Sequence, residues 1–239
     1  MSNRLHLDGE WPSPVILRKG WAKAVARPWN DDLSDIALRL ERGGHSFLNH
    51  VSAHLAELVD GSVFSPALYE FATRIWRRAG YADQIHLDIM ERSLGTVTDP
   101  GPHPTWVEDS PDMHALASID RRAFKGFWQL GESGLSEAVK ATAAAVVIMA
   151  GDDSEPFGYA IVGSQMDTAF LQRIAVVPDH EGSGYGSSLL NAATAWARKR
   201  GARTMILNVR PDSTRARDFY LRAGFDMTGS KLHVLRFEG

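Results

Sequence analysis

Three glycines at alternate positions, Gly182, Gly184 and Gly186, follow an apolar run and open into a helix-forming stretch, in LQRIAVVPDHEGSGYGSSLL at 171–190. Glycine lets the backbone turn successive N–H groups into one concavity, and the positive end of the new helix points at whatever lies there. A diphosphate suits such a cradle. Other phosphate loops fit less well. A nicotinamide site needs an acidic residue at the end of the next strand, where this chain reads Asn208-Val-Arg210, and a P-loop needs Gly-Lys-Ser/Thr, which is absent.

A second motif follows: Ser213-Thr-Arg-Ala216-Arg-Asp-Phe219-Tyr220-Leu-Arg-Ala-Gly224-Phe225. Taken together, the strand ending in Val-x-Pro, the six loop residues from Glu181 to Gly186 and this later run resemble the GNAT superfamily of acyl-CoA-dependent N-acetyltransferases. The corresponding family patterns are Gln/Arg-x-x-Gly-x-Gly/Ala and Asn-x-x-Ala-x-x-Phe/Leu-Tyr-x-x-x-Gly-Phe, and the likeness spans residues 106–239. It implies roles residue by residue. The backbone of Ile174, Ala175 and Val176 would hold the pantetheine arm and polarise the thioester carbonyl. Glu181, Gly182, Ser183, Gly184, Tyr185, Gly186 and Ser187 would hold the pyrophosphate of acetyl-CoA, the implied co-substrate. Tyr220 falls where members place a phenol beside the thioester sulfur, and a phenol of ordinary pKa near 10 can protonate a departing thiolate. Taken alone, Tyr220 also reads as a core aromatic.

Three positions depart from the family pattern. Glu181 stands where Gln or Arg is usual and puts a carboxylate beside the expected diphosphate, unless it turns to water. Ser213 replaces Asn, keeping a hydroxyl that can cap the helix. Asn208 occupies the strand position where the ribosomal-protein N-terminal acetyltransferases carry a glutamate, and Gln172 is equally non-basic. The general base must then be water-relayed or come from elsewhere. Asp120, Glu132 and Glu137 are candidates, although a solvated helix face explains them too. Phe124, Phe127 and Trp128 line either an acceptor pocket or a small core. His45, His50 and His54 include one i, i+4 pair, but no third ligand at motif spacing, so no metal is expected.

The elements that must position these residues follow from hydrophobic periodicity. Helices are expected near 113–124 and 135–142, strands at 144–150, 157–163 and 169–177, a long helix at 184–200, a strand at 204–209, a helix at 213–223 and a closing strand at 231–237. Before them, residues 31–42 have Leu33, Ile36, Ala37 and Leu40 at helical spacing, residues 66–79 repeat that pattern, and residues 84–92 alternate as a strand. Residues 95–111, rich in proline and glycine, read as a linker. The run Ile75-Trp-Arg-Arg-Ala-Gly-Tyr81 lines up with Phe219-Tyr-Leu-Arg-Ala-Gly-Phe225. That is a weak internal repeat, which any helix stopped by glycine before a strand would also produce.

The resulting expectation is an α/β protein. A GNAT fold with a mixed, splayed central sheet occupies 106–239, 95–105 is the linker, and 1–94 is a smaller α/β module, a degenerate or truncated GNAT-like half without a glycine loop. The chain has 239 residues, is 44% apolar and carries a net charge of −3, with acidic and basic residues near balance on both sides of Pro100. Nucleic acid is not the default partner. Zero cysteines exclude a disulfide framework, cysteine–zinc and iron–sulfur sites, and a cysteine nucleophile. No apolar run reaches a membrane span and no secretory signal opens the chain, so the expectation is cytoplasmic, away from membranes. The resemblance implies transfer of an acetyl group from acetyl-CoA to a primary amine of a small molecule or protein by direct attack. Two alternatives stay open: a non-catalytic acyl-CoA-binding or regulatory protein, and a tandem GNAT using another acyl donor or acceptor. The acceptor is not named by the sequence, and a homodimer is left open.

Overall fold

The computed structural model describes residues 4–31, 34–95, 100–152 and 155–239. The chain divides into two compact units, Met1–Asp88 with Ser230–Gly239, and Ile89–Gly229. The division falls inside two strands rather than at the proline-rich stretch expected to be the linker.

The first unit runs β1 (His6–Asp8), β2 (Val15–Lys19), β3 (Ala22–Pro28), β4 (Ile36–Arg42), α1 (His45–Val59), β5 (Val63–Phe64), β6 (Leu68–Tyr69), α2 (Glu70–Arg78) and the start of β7 (Tyr81–Ser93). Its sheet order is β1-β2-β3-β4-β5, followed by the last part of β13 (Asp226–Phe237). Strands β2 to β4 form an antiparallel meander, and β5 pairs parallel to β4 through Ile36↔Val63 and Ala37↔Phe64. Alternate residues Val15, Leu17, Ala24, Ala26, Ile36 and Leu38 point inward onto Leu48, Val51 and Leu55 of α1.

The expected helix at 31–42 is corrected here. Leu33 lies outside the described residues, and 36–42 form strand β4. Ile36, Leu38 and Leu40 also fit a spacing of two, and pairing of Leu38 with Ala26 and Leu40 with Ala24 buries that face. Strands β1 to β3 and helix α1 were not anticipated as elements. The helix expected at 66–79 begins at Glu70.

The second unit runs β8 (Thr105–Glu108), α3 (Met113–Ala123), a short 3₁₀ turn at Gly126–Trp128, α4 (Glu132–Lys140), β9 (Ala144–Asp152), β10 (Glu155–Gln165), β11 (Thr168–Val176), α5 (Tyr185–Lys199), β12 (Thr204–Val209), α6 (Thr214–Arg222) and the start of β13. Its sheet order is β7-β12-β11-β10-β9-β8. The linker expectation is corrected at Thr105–Glu108, which pairs antiparallel with β9 from Thr105↔Ala150 to Glu108↔Val147. Four of the residues read as linker, 96–99, lie outside the described residues.

The middle strands are apolar almost throughout because both faces of the sheet are covered. Val146, Ile148, Ala160 and Val162 face a core that includes Leu189, Leu190 and Ala193 of α5. Their neighbours Val147, Met149, Tyr159 and Ile161 face Leu116, Ala117 and Ile119 of α3 and Leu135 of α4. No described helix is long and apolar enough to cross a membrane.

Candidate active site

Strand β11 does not remain paired with β12. The parallel register runs Thr168↔Thr204, Ala169↔Met205 and Phe170↔Ile206, and ends there. Ile174, Ala175 and Val176 pair on their other side with Ala160, Tyr159 and Gly158. Their edge toward β12 is therefore open, offering backbone donors and acceptors with no strand to take them.

A β-bulge governs what faces this gap. Ile161 pairs with Arg173 whereas Val162 pairs with Leu171, so Gln172 is an extra residue in β11. One inserted residue inverts the side-chain alternation. Ala169 and Leu171 face α5, while Ala175 and Val177 face α3 and α4. The inversion carries Arg173 to the α3 side.

There Arg173 meets Asp120, which is fully buried. Arg173 Nε donates to Asp120 Oδ2 and Nη2 to Asp120 Oδ1, both at 2.8 Å, and Nη2 also donates to the Trp128 carbonyl at 2.7 Å. The Tyr159 hydroxyl donates to Oδ2 at 2.6 Å and the Leu130 N–H to Oδ1 at 2.7 Å. The guanidinium lies over the Phe124 ring, 3.6 Å from its centroid. Burial pushes the Tyr159 phenol well up, so it stays a donor. Asp120 is therefore not available as a general base, because four hydrogen bonds and an ion pair occupy its carboxylate. Glu132, on the exposed side of α4, accepts from His114 Nδ1 at 2.9 Å, and Glu137 lies half-buried on the same helix. Asn208 is exposed near the end of β12, and Gln172 is the bulge residue.

The glycine loop joins β11 to α5. Gly182 and Gly184 have φ of +80° and +98°, and Gly184 is the N-cap of α5. A Cβ on Gly184 would sit 2.8 Å from Pro102 Cγ, whereas one on Gly182 would meet nothing within 4 Å. The loop is thus tight at the helix and open at its crown. The first-turn N–H groups of α5 have no helical carbonyl to donate to. A helix start of this kind, with an open crown at Gly182, is a place where an anion can be held.

Rings brace this loop at both ends. Phe157 of β10 stacks on His180 at 3.7 Å between centroids and meets Tyr185 edge-on at 4.7 Å, while His103 stacks on the other face of the cluster against Tyr185 at 3.8 Å. His103 Nε2 donates to the Ser183 carbonyl at 2.6 Å, and its backbone N–H donates to Ser188 Oγ at 3.0 Å. Sequence reasoning missed these bracing residues, because His180, Phe157 and His103 belong to no motif. The Glu181 carboxylate pairs with Arg215 of α6, so its charge is partnered beside the loop. Ser213 stands at the N-cap of α6, but its hydroxyl makes no capping bond. The capping expectation is corrected: with φ −87° and ψ 71° its carbonyl accepts from Arg217, and the side chain is left over.

Tyr220 is buried on α6, edge-on to Phe225 with centroids 5.7 Å apart. Burial pushes its phenol up, and the Arg173 charge acts in the opposite sense. The phenol remains protonated across neutral pH. No described residue hydrogen-bonds the hydroxyl. It is also not an enclosed orphan, since Arg92 Nε is the buried side-chain polar atom without a partner among the described residues. The hydroxyl is therefore unpartnered without being fully sealed off, within a residue that is buried overall. Trp128 touches an arginine from each strand: its carbonyl accepts from Arg173 of β11, and the guanidinium of Arg210, which follows β12, lies 4.5 Å from its ring centroid. Arg210 in turn grips Asp212 through Nε and Nη2, at 2.9 and 2.5 Å. The His45, His50 and His54 trio starts and lines α1, and no cluster of metal-ligating side chains occurs among the described residues.

The family model described as the acetyltransferase (GNAT) family matches residues 113–225. The [ribosomal protein bS18]-alanine N-acetyltransferase of Haemophilus influenzae is 27% identical over 115 residues, 48% of this chain and 75% of that protein. The aminoglycoside N(6')-acetyltransferase type 1 of Stenotrophomonas maltophilia is 30% identical over 138 residues, 51% of this chain and 90% of that protein. Among solved structures, a tandem GNAT protein from the clavulanic acid biosynthesis pathway superposes with a TM-score of 0.57 at 15% identity. It covers 97% of this chain and 82% of its own.

Proposed function

The chain belongs to the acetyltransferase (GNAT) family and is an acyltransferase, and on that premise we propose that it moves the acetyl group of acetyl-CoA to a primary amine. The observation that carries the reading is the open edge of β11, which leads into the glycine cradle, together with the unpartnered hydroxyl of Tyr220. Acetyl-CoA supplies the activated thioester. Backbone donors on residues 174–176 hold its arm and polarise the carbonyl, and the cradle fixes the pyrophosphate. These contributions are proximity and preorganised electrostatics.

The amine attacks the thioester directly, and with no cysteine in the chain there is no thiol for a covalent acyl intermediate. The C–S bond breaks as the C–N bond forms, and Tyr220 gives its proton to the leaving thiolate. Neither strand position offers a carboxylate, since Asn208 and Gln172 are amides. The attacking amine therefore loses its proton to water rather than to a side chain of the strand pair.

We read the first unit as a GNAT-like module without a coenzyme site. The likeness of the whole chain to a tandem GNAT fold supports this.

The test is the unfolding midpoint of the full chain with and without acetyl-CoA, followed by thiol release with an amine panel. Ligand at about 100 times its dissociation constant stabilises by about 2.7 kcal/mol, a rise of roughly 5–10 °C. No rise removes the reading. A rise with no thiol release across the panel makes the chain an acyl-CoA-binding protein instead.

A further inference from the structure

We infer that the acceptor amine also carries a carboxylate, held between Arg173 and Arg210 on the two sides of Trp128; the inference rests on the acetyl-transfer reading above. Each guanidinium has one nitrogen unspent. Arg173 uses Nε and Nη2 on Asp120 and the Trp128 carbonyl, and Arg210 uses Nε and Nη2 on Asp212. Neither Nη1 has a hydrogen-bond partner among the described residues, and neither is an enclosed orphan atom. Neither is sealed off: the Arg173 side chain is 15% exposed and that of Arg210 35%. The two guanidinium groups meet at one residue, because one donates to the Trp128 carbonyl and the other lies over its ring.

The place matters as much as the chemistry. Arg173 stands on the stretch of β11 that has left β12, and Arg210 follows the end of β12, so the two flank the gap where the strands part. The Arg173 charge is also felt at the Tyr220 phenol. A carboxylate set between the two Nη1 groups accepts one charge-assisted hydrogen bond from each arginine. An amine one or two bonds away from that carboxylate is then in reach of the open strand edge. A polycationic acceptor finds no such support. Asp120 is buried, both oxygens of Asp212 are taken by Arg210, and the unspent groups are donors. The two aspartates balance the two arginines, so selection comes from directed donors rather than from a positive field.

The experiment is calorimetric titration of the full chain with N-acetylphenylalanine, a product-like probe, and with its primary amide, repeated on Arg210→Gln. The acid binds at least about tenfold tighter than the amide to the native chain, and the preference falls below about threefold in Arg210→Gln with an unchanged unfolding midpoint. Equal binding of the two probes, binding of neither, or a preference that survives Arg210→Gln overturns the inference. Acetyl-CoA stabilisation, read on the same sample, separates the two claims. If it persists while the acid preference is missing, the acceptor inference alone falls. If it is missing while Arg210 still governs an acid preference, the anion subsite stands and the acetyl-transfer reading falls.

Discussion

The two units repeat one chain path and differ at the points where chemistry would occur. Each runs an antiparallel three-strand meander, a 15-residue helix, a strand parallel to the meander's last strand, and a nine-residue helix ending at glycine before a long strand. The helix ends match closely. Ala79 and Ala223 have φ, ψ of −89°, 6° and −80°, 6°, and Gly80 and Gly224 follow at φ +92° and +81°. In both, a ring on the helix meets a ring at the start of the following strand edge-on: Trp76 with Tyr81, and Tyr220 with Phe225 just before β13.

The differences are local. In the first unit β4 reaches α1 through Gly43 and Gly44 alone, and a Cβ on Gly43 would strike Phe47 at 2.8 Å. In the second, residues 177–184 intervene and leave a crown open to solvent. At the matched ring position, one unit has an indole in its core and the other a buried phenol whose hydroxyl has no partner among the described residues. A shared path thus fixes the framework, and a lengthened loop with one changed ring is where the proposed chemistry is placed.

Substitutions at matched places test that contrast. The largest effect is expected from the ion pairs. Asp120→Asn leaves Arg173 buried without its partner and costs about 3–5 kcal/mol, read as a fall in the denaturant midpoint. Arg77→Gln in the first unit, which breaks exposed pairs with Glu70 and Asp83, costs less than about 1 kcal/mol. Equal costs would mean that Asp120 and Arg173 are solvated in solution. Next come the matched rings. Tyr220→Phe lowers the turnover number about 100-fold with little change in the unfolding midpoint, because it removes the acid and keeps the ring. Trp76→Phe leaves turnover unchanged and lowers stability by about 1–3 kcal/mol. A slowed Trp76→Phe enzyme would show that the first unit takes part in the chemistry.

The helix starts give a smaller difference. Gly184→Ala forces a side chain into left-handed backbone against Pro102, costs about 1–2 kcal/mol and shrinks the acetyl-CoA-induced midpoint shift. Gly44→Ala, at φ −102° with open space around it, changes stability by less than about 0.5 kcal/mol. The smallest effect is with pH. Native Tyr220 holds its proton more tightly than the unfolded chain does. Its contribution to stability is therefore complete below about pH 10 and is lost as the pH rises beyond that. Urea titrations at rising pH should show a smaller decline in Tyr220→Phe, the rest coming from Tyr81 and Tyr159, whose phenols burial also pushes up. Identical pH profiles for the two proteins would remove the proton-binding difference.

The second unit was legible because its elements and loop carry local signals. Apolar runs bounded by turn residues gave its strands, and alternate glycines gave the cradle. The first unit was harder. Ile36, Leu38 and Leu40 fit a strand, but Ile36, Ala37 and Leu40 also fit a helix, and only pairing with β3 decides between them. At the site, the loop and Tyr220 were visible, while the Asp120–Arg173 pair was not. That pair depends on the bulge at Gln172, and nothing in IAVV marks where the alternation inverts. The bracing rings come from three separate places in the chain, so spacing could not group them.

Strand β13 begins in the second unit and ends in the first, where Leu235 joins the buried cluster and Arg236 pairs with Phe64. A ribosome makes these residues after every part of the second unit. The first unit, although it emerges first, must therefore wait with an unfilled place in its sheet through the synthesis of some 140 residues. Over that interval β5 presents an unpaired edge, a template onto which a strand of another chain can pair.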